Sequence, residues 1–512
     1  MGRSTSSMLL KIGSRASTLA KIQSYSVGEK LKETFPELEI EYIFQESKGD
    51  KDLVTPLWKL SGQSIFTKDL QDALLAGKID AIVHSWKDLE LNDRDLTKVF
   101  SVLSRADERD VLLFKKDHRN QPPSKLKVLT SSPRREYNLT LFIRNFFPSS
   151  LANQALEFES VRGNIQTRFK KFIESDASAI LIAKAALDRI LSADIFLTQI
   201  HEIKETQEFL KSKLLECFFM VIPLSQNPCA PAQGALCVEM RANDLHSQNY
   251  IHAIVDKNSE ANALKERAIL KNYGGGCHQK IGVSVIKRDY GEITYLRGIT
   301  DEGQILNQIS FTRTYPLKFK KSEVWPSESN KLKKNRLLLN VEIPALFDLY
   351  VTKSFSLPRS AEHTLNDRIV WCSGVKTWSE LAARDIWVHG TSDGLGEAEE
   401  MNLSHLVPRK LNFLKLTHDD SQDQFLATLK TYHLELQEKS EGIENHEQIQ
   451  AAYWSSGSEF FYLINHYPHW KNLIHFCGPG TTYSKIKQYL GESATVYICP
   501  SYKYWEENYL EN

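Results

Sequence analysis

Residues 80–90 read DAIVHSWKDLE. The apolar run from Asp80 to Val83 stops abruptly, and His84, Ser85, Lys87 and Asp88 follow at once. A short apolar run ending in polar residues reads as a buried strand whose carboxyl end opens onto a ligand site. The same pattern recurs on both sides. Upstream, Ser17 caps a predicted helix running towards Glu33, which Pro36 closes off. Thr67 caps a second, with Asp69 in its first turn, Leu70, Ala73 and Leu74 facing inward, and Gly77 at its end. Downstream, Lys127–Thr130 is a predicted strand. Ser132-Pro133 is a strong helix start, because a proline at the first helical position lacks only an N–H that would be unbonded anyway. Ser178–Ala183 is a strand leading into a helix through Arg189. Strands alternating with helices define an α/β protein with mainly parallel sheets.

The chain has 512 residues. At about 100–200 residues per domain, three to five domains are expected. Hydrophobic residues make up 41% and charged residues 25%, which excludes a collagen-like or disordered chain. Lys+Arg 64 balances Asp+Glu 64, and a nucleic-acid binder would carry a basic excess. Charge-driven chemistry must therefore come from local clusters, and no nucleic-acid partner is expected. Seven cysteines without regular spacing argue against a disulfide framework. No Cys/His set has metal-ligand spacing, so no metal is expected. No apolar run reaches the ~18 residues of a spanning helix, and the N-terminus lacks the apolar core of a signal peptide. A cytoplasmic protein without a membrane partner is expected. A stretch rich in Lys, Ser and Pro near 313–336 reads as a linker.

Five constellations could carry chemistry. They are Arg15 with Ser17; Ser85, Lys87 and Asp88; Thr130, Ser132, Arg134 and Arg135; Arg162, Asn164 and Arg168; and Arg189. Four of the five put Arg at or near a helix start, where free N–H groups and a partial positive charge favour anions. The guanidinium fork suits carboxylate or phosphate. One such Arg is more often a surface ion pair. Several in one fold point to a ligand with many acidic groups. Asp88, a carboxylate among cations, can accept N–H donors or pass protons, although a turn-capping Asp is the bland alternative. In Gly274-Gly275-Gly276-Cys277, three glycines allow close backbone approach, and the thiol at the tip is placed for attachment.

In chain order, KIGSRASTLAKIQ, KGDK, DAIVHSWKDLE, TSSPRRE, VRGNIQTR, PAQGAL and GGGCHQKIG resemble the porphobilinogen deaminase (hydroxymethylbilane synthase) family from about Leu10 to about residue 312. The resemblance implies two lobes like type II periplasmic binding proteins. These would be residues 8–103 with a return segment at 221–241, and residues 104–220. A small α+β cysteine-loop domain would follow at 242–314. It implies a dipyrromethane cofactor joined to Cys277 by a thioether, onto which four porphobilinogen molecules are polymerised with loss of ammonia. Each pyrrole bears an acetate and a propionate, so Arg134, Arg135, Arg168 and Arg189 would meet carboxylates. Thr130, Ser132, Ser85, Lys87 and Asn164 would add donors. Arg15, Ser17, Gln23, Lys59, Arg162 and Arg168 would face the incoming substrate. Asp88 would hold pyrrole N–H groups and stabilise the cationic azafulvene, with Lys87, Arg15 and Arg162 also in the catalytic set. The chain departs from the family pattern at Gln63, where Lys is common, at Trp86, where Met is usual, and at Ala232, where Gly is common. A monomer is expected. The competing reading is a non-catalytic anion-binding protein of the same fold, which Cys277 in its glycine loop opposes.

Beyond the expected linker at 315–336, three segments of residues 337–512 resemble parts of uroporphyrinogen III synthase, also α/β. They are IVWCSGVKTWSELAARDIWVHGTSDGLGE, AAYWSSGSEFF and HFCGPGTTYSKIKQYLGESATVYICP. The turns Ser455–Ser458 and Gly478–Thr482 suit carboxylate binding, or are ordinary βα turns. The tail is short for two complete lobes of that family. It reads as a trimmed lyase cyclising hydroxymethylbilane, which would make the chain bifunctional, or as a relic kept as an interaction surface.

Overall fold

The computed structural model describes residues 9–46, 68–91, 95–193, 200–274, 279–312, 315–327, 331–418, 426–438, 442–491 and 493–511. The chain divides into two compact units. One comprises residues 1–144, 153–287 and 294–308, and the other 145–152, 288–293 and 309–512.

The first unit opens with β1 (Leu9–Arg15), α1 (Thr18–Thr34), β2 (Glu39–Gln45), α2 (Lys68–Leu75), β3 (Ala81–Ser85) and β4 (Thr97–Val102). Ser17 caps α1 as expected, its Oγ accepting from Ala20 N at 3.4 Å. Leu70, Ala73 and Leu74 of α2 are buried. Thr67, its expected cap, lies outside the described residues. Gly77 follows α2 at φ +69°, a conformation glycine adopts without steric penalty. Next come β5 (Asp110–Lys115), β6 (Lys125–Leu129), α3 (Pro133–Phe146), β7 (Ala155–Glu159), α4 (Ile165–Glu174), β8 (Ala179–Ala183), α5 (Lys184–Leu191), β9 (Cys217–Ile222) and β10 (Leu236–Arg241). As predicted, α3 begins at Pro133, and β8 runs straight into α5.

Two five-stranded sheets result, ordered β2-β1-β3-β10-β4 and β7-β6-β8-β5-β9. Each reads second, first, third, crossing strand, last. The crossing strands β10 and β5 are antiparallel to both neighbours. The chain thus passes between two like lobes twice, through residues 103–109 and 223–235. Leu10, Ile12, Val83, Val102, Val238 and Met240 fill the core of the first lobe. After β10, α6 (Lys257–Lys271) packs Leu270 against Ile281, Val283, Leu296 and Leu306 of a three-stranded sheet. That sheet consists of β11 (Lys280–Arg288), β12 (Gly291–Ile299) and β13 (Ile305–Phe311).

The second unit holds two further sheets. One contains β14 (Val324–Trp325), β21 (Ala451–Trp454), β22 (Ile474–Cys477) and β23 (Val496–Ile498), all parallel. The other contains β15 (Lys333–Leu338), β16 (Asp348–Val351), β17 (Val370–Cys372), β18 (Gly390–Thr391), β19 (Phe413–His418) and β20 (Ala427–Gln437), in the order β15-β20-β19-β16-β17-β18. The tail therefore has two sheets despite its length, one of four strands and one of six. Trp325, Trp454 and Trp470 are almost fully buried in one cluster.

The structure differs from the sequence reading at the expected linker, 315–336. This stretch contains β14, the start of β15 and the buried Trp325, whose Nε1 donates to Glu459 Oε1 at 3.0 Å. A two-residue strand has no periodicity to detect. Its order comes from pairing with β21, more than a hundred residues later. No described helix is long and apolar enough to cross a membrane.

Candidate active site

The site is built from strand ends of both lobes. Arg15 ends β1, Ser85 ends β3, and Lys87 and Asp88 follow it. Arg134 and Arg135 open α3, Arg162 precedes α4, and Arg168 lies within it. Around Arg168 the expected residues converge. Burial, then the charges of Arg135, Arg162 and Arg15, pull its guanidinium down to about 10, against the opposing pull of Asp88. Its Nε donates to Gly163 O at 2.7 Å. Lys87 is lowered to about 8, by burial first and then by Arg135 and Arg134, while Asp88 and Asp110 oppose the shift. Six named cations thus surround two carboxylates, Asp88 and Asp110. Asp88 is exposed and Asp110 is 1% exposed.

Asp110 was not anticipated, yet it organises the second lobe's side of the site. Arg134 Nη2 donates to its Oδ2 at 3.0 Å, and Arg135 Nη2 to its Oδ1 at 2.6 Å. Asn227 Nδ2 (2.8 Å) and Gln233 Nε2 (2.9 Å) complete its shell. Burial alone would raise its pKa. Arg135 and Arg134 override that and hold the carboxyl well below the usual carboxylate range. Gln233 in turn accepts from Lys87 Nζ at 3.2 Å, which joins the two lobes. One sequence signal existed: an aspartate opening the apolar strand DVLLF must be buried, and buried charges are paired.

Other expected residues have mixed placements. Gln23 Nε2 donates to Ser85 Oγ at 2.9 Å. Ser17 and Asn164 serve as helix caps, Asn164 Oδ1 accepting from Thr167 N at 2.8 Å. Thr130 Oγ1 accepts from Ser132 N at 3.3 Å. Arg189, lowered to about 10 by burial, donates to Gly234 O at 2.6 Å. Its electrostatic neighbour is Asp188 rather than the arginine cluster. Cys277, Lys59 and Gln63 lie outside the described residues. Ala232 sits at φ +63°, which explains why glycine suits that position. Its N–H donates to Glu266 Oε2 at 2.8 Å.

Two like lobes presenting converging guanidinium groups define an anion-binding α/β protein. The family model for porphobilinogen deaminase, dipyrromethane cofactor binding domain, matches residues 10–249. The porphobilinogen deaminase of Clostridium novyi (strain NT) is 31% identical over 304 residues, covering 59% of this chain and 92% of that protein. That of Chlorobaculum parvum (strain DSM 263 / NCIMB 8327) is 34% identical over 272 residues, covering 53% and 77%. Among solved structures, the BenM effector-binding domain with its effector benzoate aligns over 52% of this chain and 94% of that chain. The identity is 14% and the TM-score 0.25, too low to bear on the fold. The chain belongs to the porphobilinogen deaminase family.

The residues present fit that family's dipyrromethane cofactor. Arg134 Nε is buried and finds no hydrogen-bond partner among the described residues. Arg135, Arg162 and Arg15 act on Arg168, a gathering of guanidinium groups that suits a ligand bearing acetate and propionate arms.

Proposed function

We propose that the N-terminal unit is a hydroxymethylbilane synthase that joins four porphobilinogen molecules head to tail, losing one ammonia each time. The observation that carries this reading is the set of charges meeting at Arg168: Arg15, Arg135 and Arg162 with Asp88 among them. The dipyrromethane, when bound, supplies the pyrrole carbon on which the chain grows. Arg134, Arg135, Arg162 and Arg168 would hold carboxylate arms, each charge-assisted bond contributing about 1.5–3 kcal/mol. Asp110 keeps the two adjacent guanidinium groups from repelling one another. Arg15 and the Gln23–Ser85 pair would receive the incoming monomer. Asp88 would accept pyrrole N–H groups and balance the positive charge that develops as ammonia leaves, an electrostatic role suited to a lone acid among cations.

Intact mass tests the attachment. The purified protein should exceed its sequence mass by one dipyrromethane, and Cys277→Ser should abolish the excess. A fully active, unmodified wild type would end this reading. Asp88→Asn should keep the added mass and lose at least ~10²-fold in turnover. Wild-type rates in that variant would remove Asp88 from the catalytic set.

For residues 337–512 we propose cyclisation of hydroxymethylbilane to uroporphyrinogen III. The support is the parallel sheet β14-β21-β22-β23, whose Ser/Thr turns follow β21 and β22. A specific observation favours the second reading, a non-catalytic module. Ser455 is bonded to Glu459, Ser456 caps the helix α7 (Gly457–His466), and Thr481 is bonded to Glu397. Supplying hydroxymethylbilane and identifying the product isomer decides between them, because spontaneous closure yields only the type I isomer.

A further inference from the structure

Two consecutive residues of α6 grip opposite sides of the deaminase site. Glu266 is fully buried and accepts from Arg105 Nη1 and Nη2 at 2.9 Å each, and from Ala232 N and Val285 N at 2.8 Å each. It ties the passages between the lobes to the three-stranded sheet. Arg267 reaches the other way. Its Nη1 donates to Leu89 O at 3.0 Å and Trp86 O at 3.4 Å, and its Nη2 to Glu90 O at 2.5 Å. Its guanidinium also lies 5.9 Å from the centre of the Trp86 ring, within cation–π range. Trp86 is 3% exposed and packs with Leu89, Ala232, Ala235, Cys237 and Ala263, so the ring cannot slide away.

The three carbonyls belong to Trp86, the first residue of the 3₁₀ turn Trp86–Asp88, and to Leu89 and Glu90 just after it. One planar cation therefore holds the turn that presents Lys87 and Asp88 at its start and beyond its end. The same helix ends at Lys271, six residues before Cys277. We propose that Arg267 is a positioning residue for the deaminase reaction: it fixes the turn that carries Lys87 and Asp88, and so the place of those two side chains in the site. This rests on the roles given above to Asp88 and Cys277. Arg267 acts only through the turn, by bonding backbone carbonyls that no substrate has to displace.

Misplacement of a catalytic group by about 1 Å can lower rate roughly 100-fold without removing any substrate contact. Arg267→Gln keeps a donor but loses the charge and the fork. In full-length protein with its primer verified by intact mass, kcat should fall roughly 10- to 100-fold, with KM for porphobilinogen changed less than roughly 3-fold. Arg267→Lys restores the charge without the planar fork and should recover part of the lost kcat. Wild-type kcat in primer-loaded Arg267→Gln would overturn the proposal. So would a loss confined to KM, which would mean direct substrate binding. If Arg267→Gln fails to fold, Arg267→Lys carries the test alone: reduced kcat at unchanged KM supports it, and unchanged kcat overturns it. Wild-type rates in Asp88→Asn would instead remove the underlying reading of Asp88, so the two failures are distinguishable.

Discussion

The deaminase site and the tail's Ser/Thr turns share one local design, a strand ending in a polar turn that opens a helix, and they use it differently. In the first, several guanidinium groups gather, and two of them, Arg134 and Arg135, are held in place by one acid, Asp110. Asp110 and Gln233 link Arg134, Arg135 and Lys87. In the second, polar groups close on one another. Glu459 receives Trp325, Lys334 and Ser455, while Glu397 receives Lys415 and Thr481. Lys415, 2% exposed, is a buried cation neutralised within the tail. Guanidinium groups gathered at strand ends suit an acidic ligand, whereas charge paired inside the tail holds its fold together. This contrast supports the deaminase reading more strongly than the synthase reading.

The largest effect should come from breaking the first network. Asp110→Asn removes a buried carboxylate from two buried guanidinium groups and should destabilise the protein by about 3–5 kcal/mol, measured by the denaturant midpoint. The Asp110 pKa lies below its unfolded value, so the unfolded chain binds the extra proton as the medium is acidified. Its stabilisation is complete above about pH 4 and is lost as pH falls further. Unchanged acid stability in the variant would contradict this role.

Lys87 provides a smaller, pH-dependent effect. Its proton leaves near pH 8 rather than 10.5. Between those values the unfolded chain holds the additional proton, so this group makes stability rise with pH there. Carboxylate binding should weaken over the same range. KM for porphobilinogen should rise roughly 10-fold from pH 7 to above 9, the equivalent of one charge-assisted bond. Lys87→Arg should flatten that rise, and an identical profile in the variant would refute the assignment.

Ser456→Ala sharpens the comparison from the tail's side. Loss of the cap on α7 should lower stability by about 1 kcal/mol and leave deaminase turnover unchanged. A fall in turnover would show that the tail does more than fold on its own account.

Much of the site was legible because its chemistry is local. Arg15, Lys87, Asp88, Arg134, Arg135, Arg162 and Arg168 each follow a recognisable strand or open a helix. Ser17 was read both as the cap of α1 and as a substrate contact, and Asn164 as a ligand contact; both side chains cap helices, since a side chain that can bond an anion can equally bond a helix N–H. Asp110, Asn227, Gln233, Glu266 and Arg267 were missed, because their partners lie tens to more than a hundred residues away. Trp325 was hidden in a polar stretch for the same reason.

From the order of residues alone came the α/β class, the helix starts and the cation-rich strand ends, set by short-range periodicity and capping, and the family, read from the resemblance of its motifs. Only the folded chain determined which cations share Asp110, which hydroxyls are consumed internally, and that Arg267 holds the Asp88 turn. Those outcomes depend on which distant backbones meet, and burial then forces each charged group to find a partner wherever the chain has brought one.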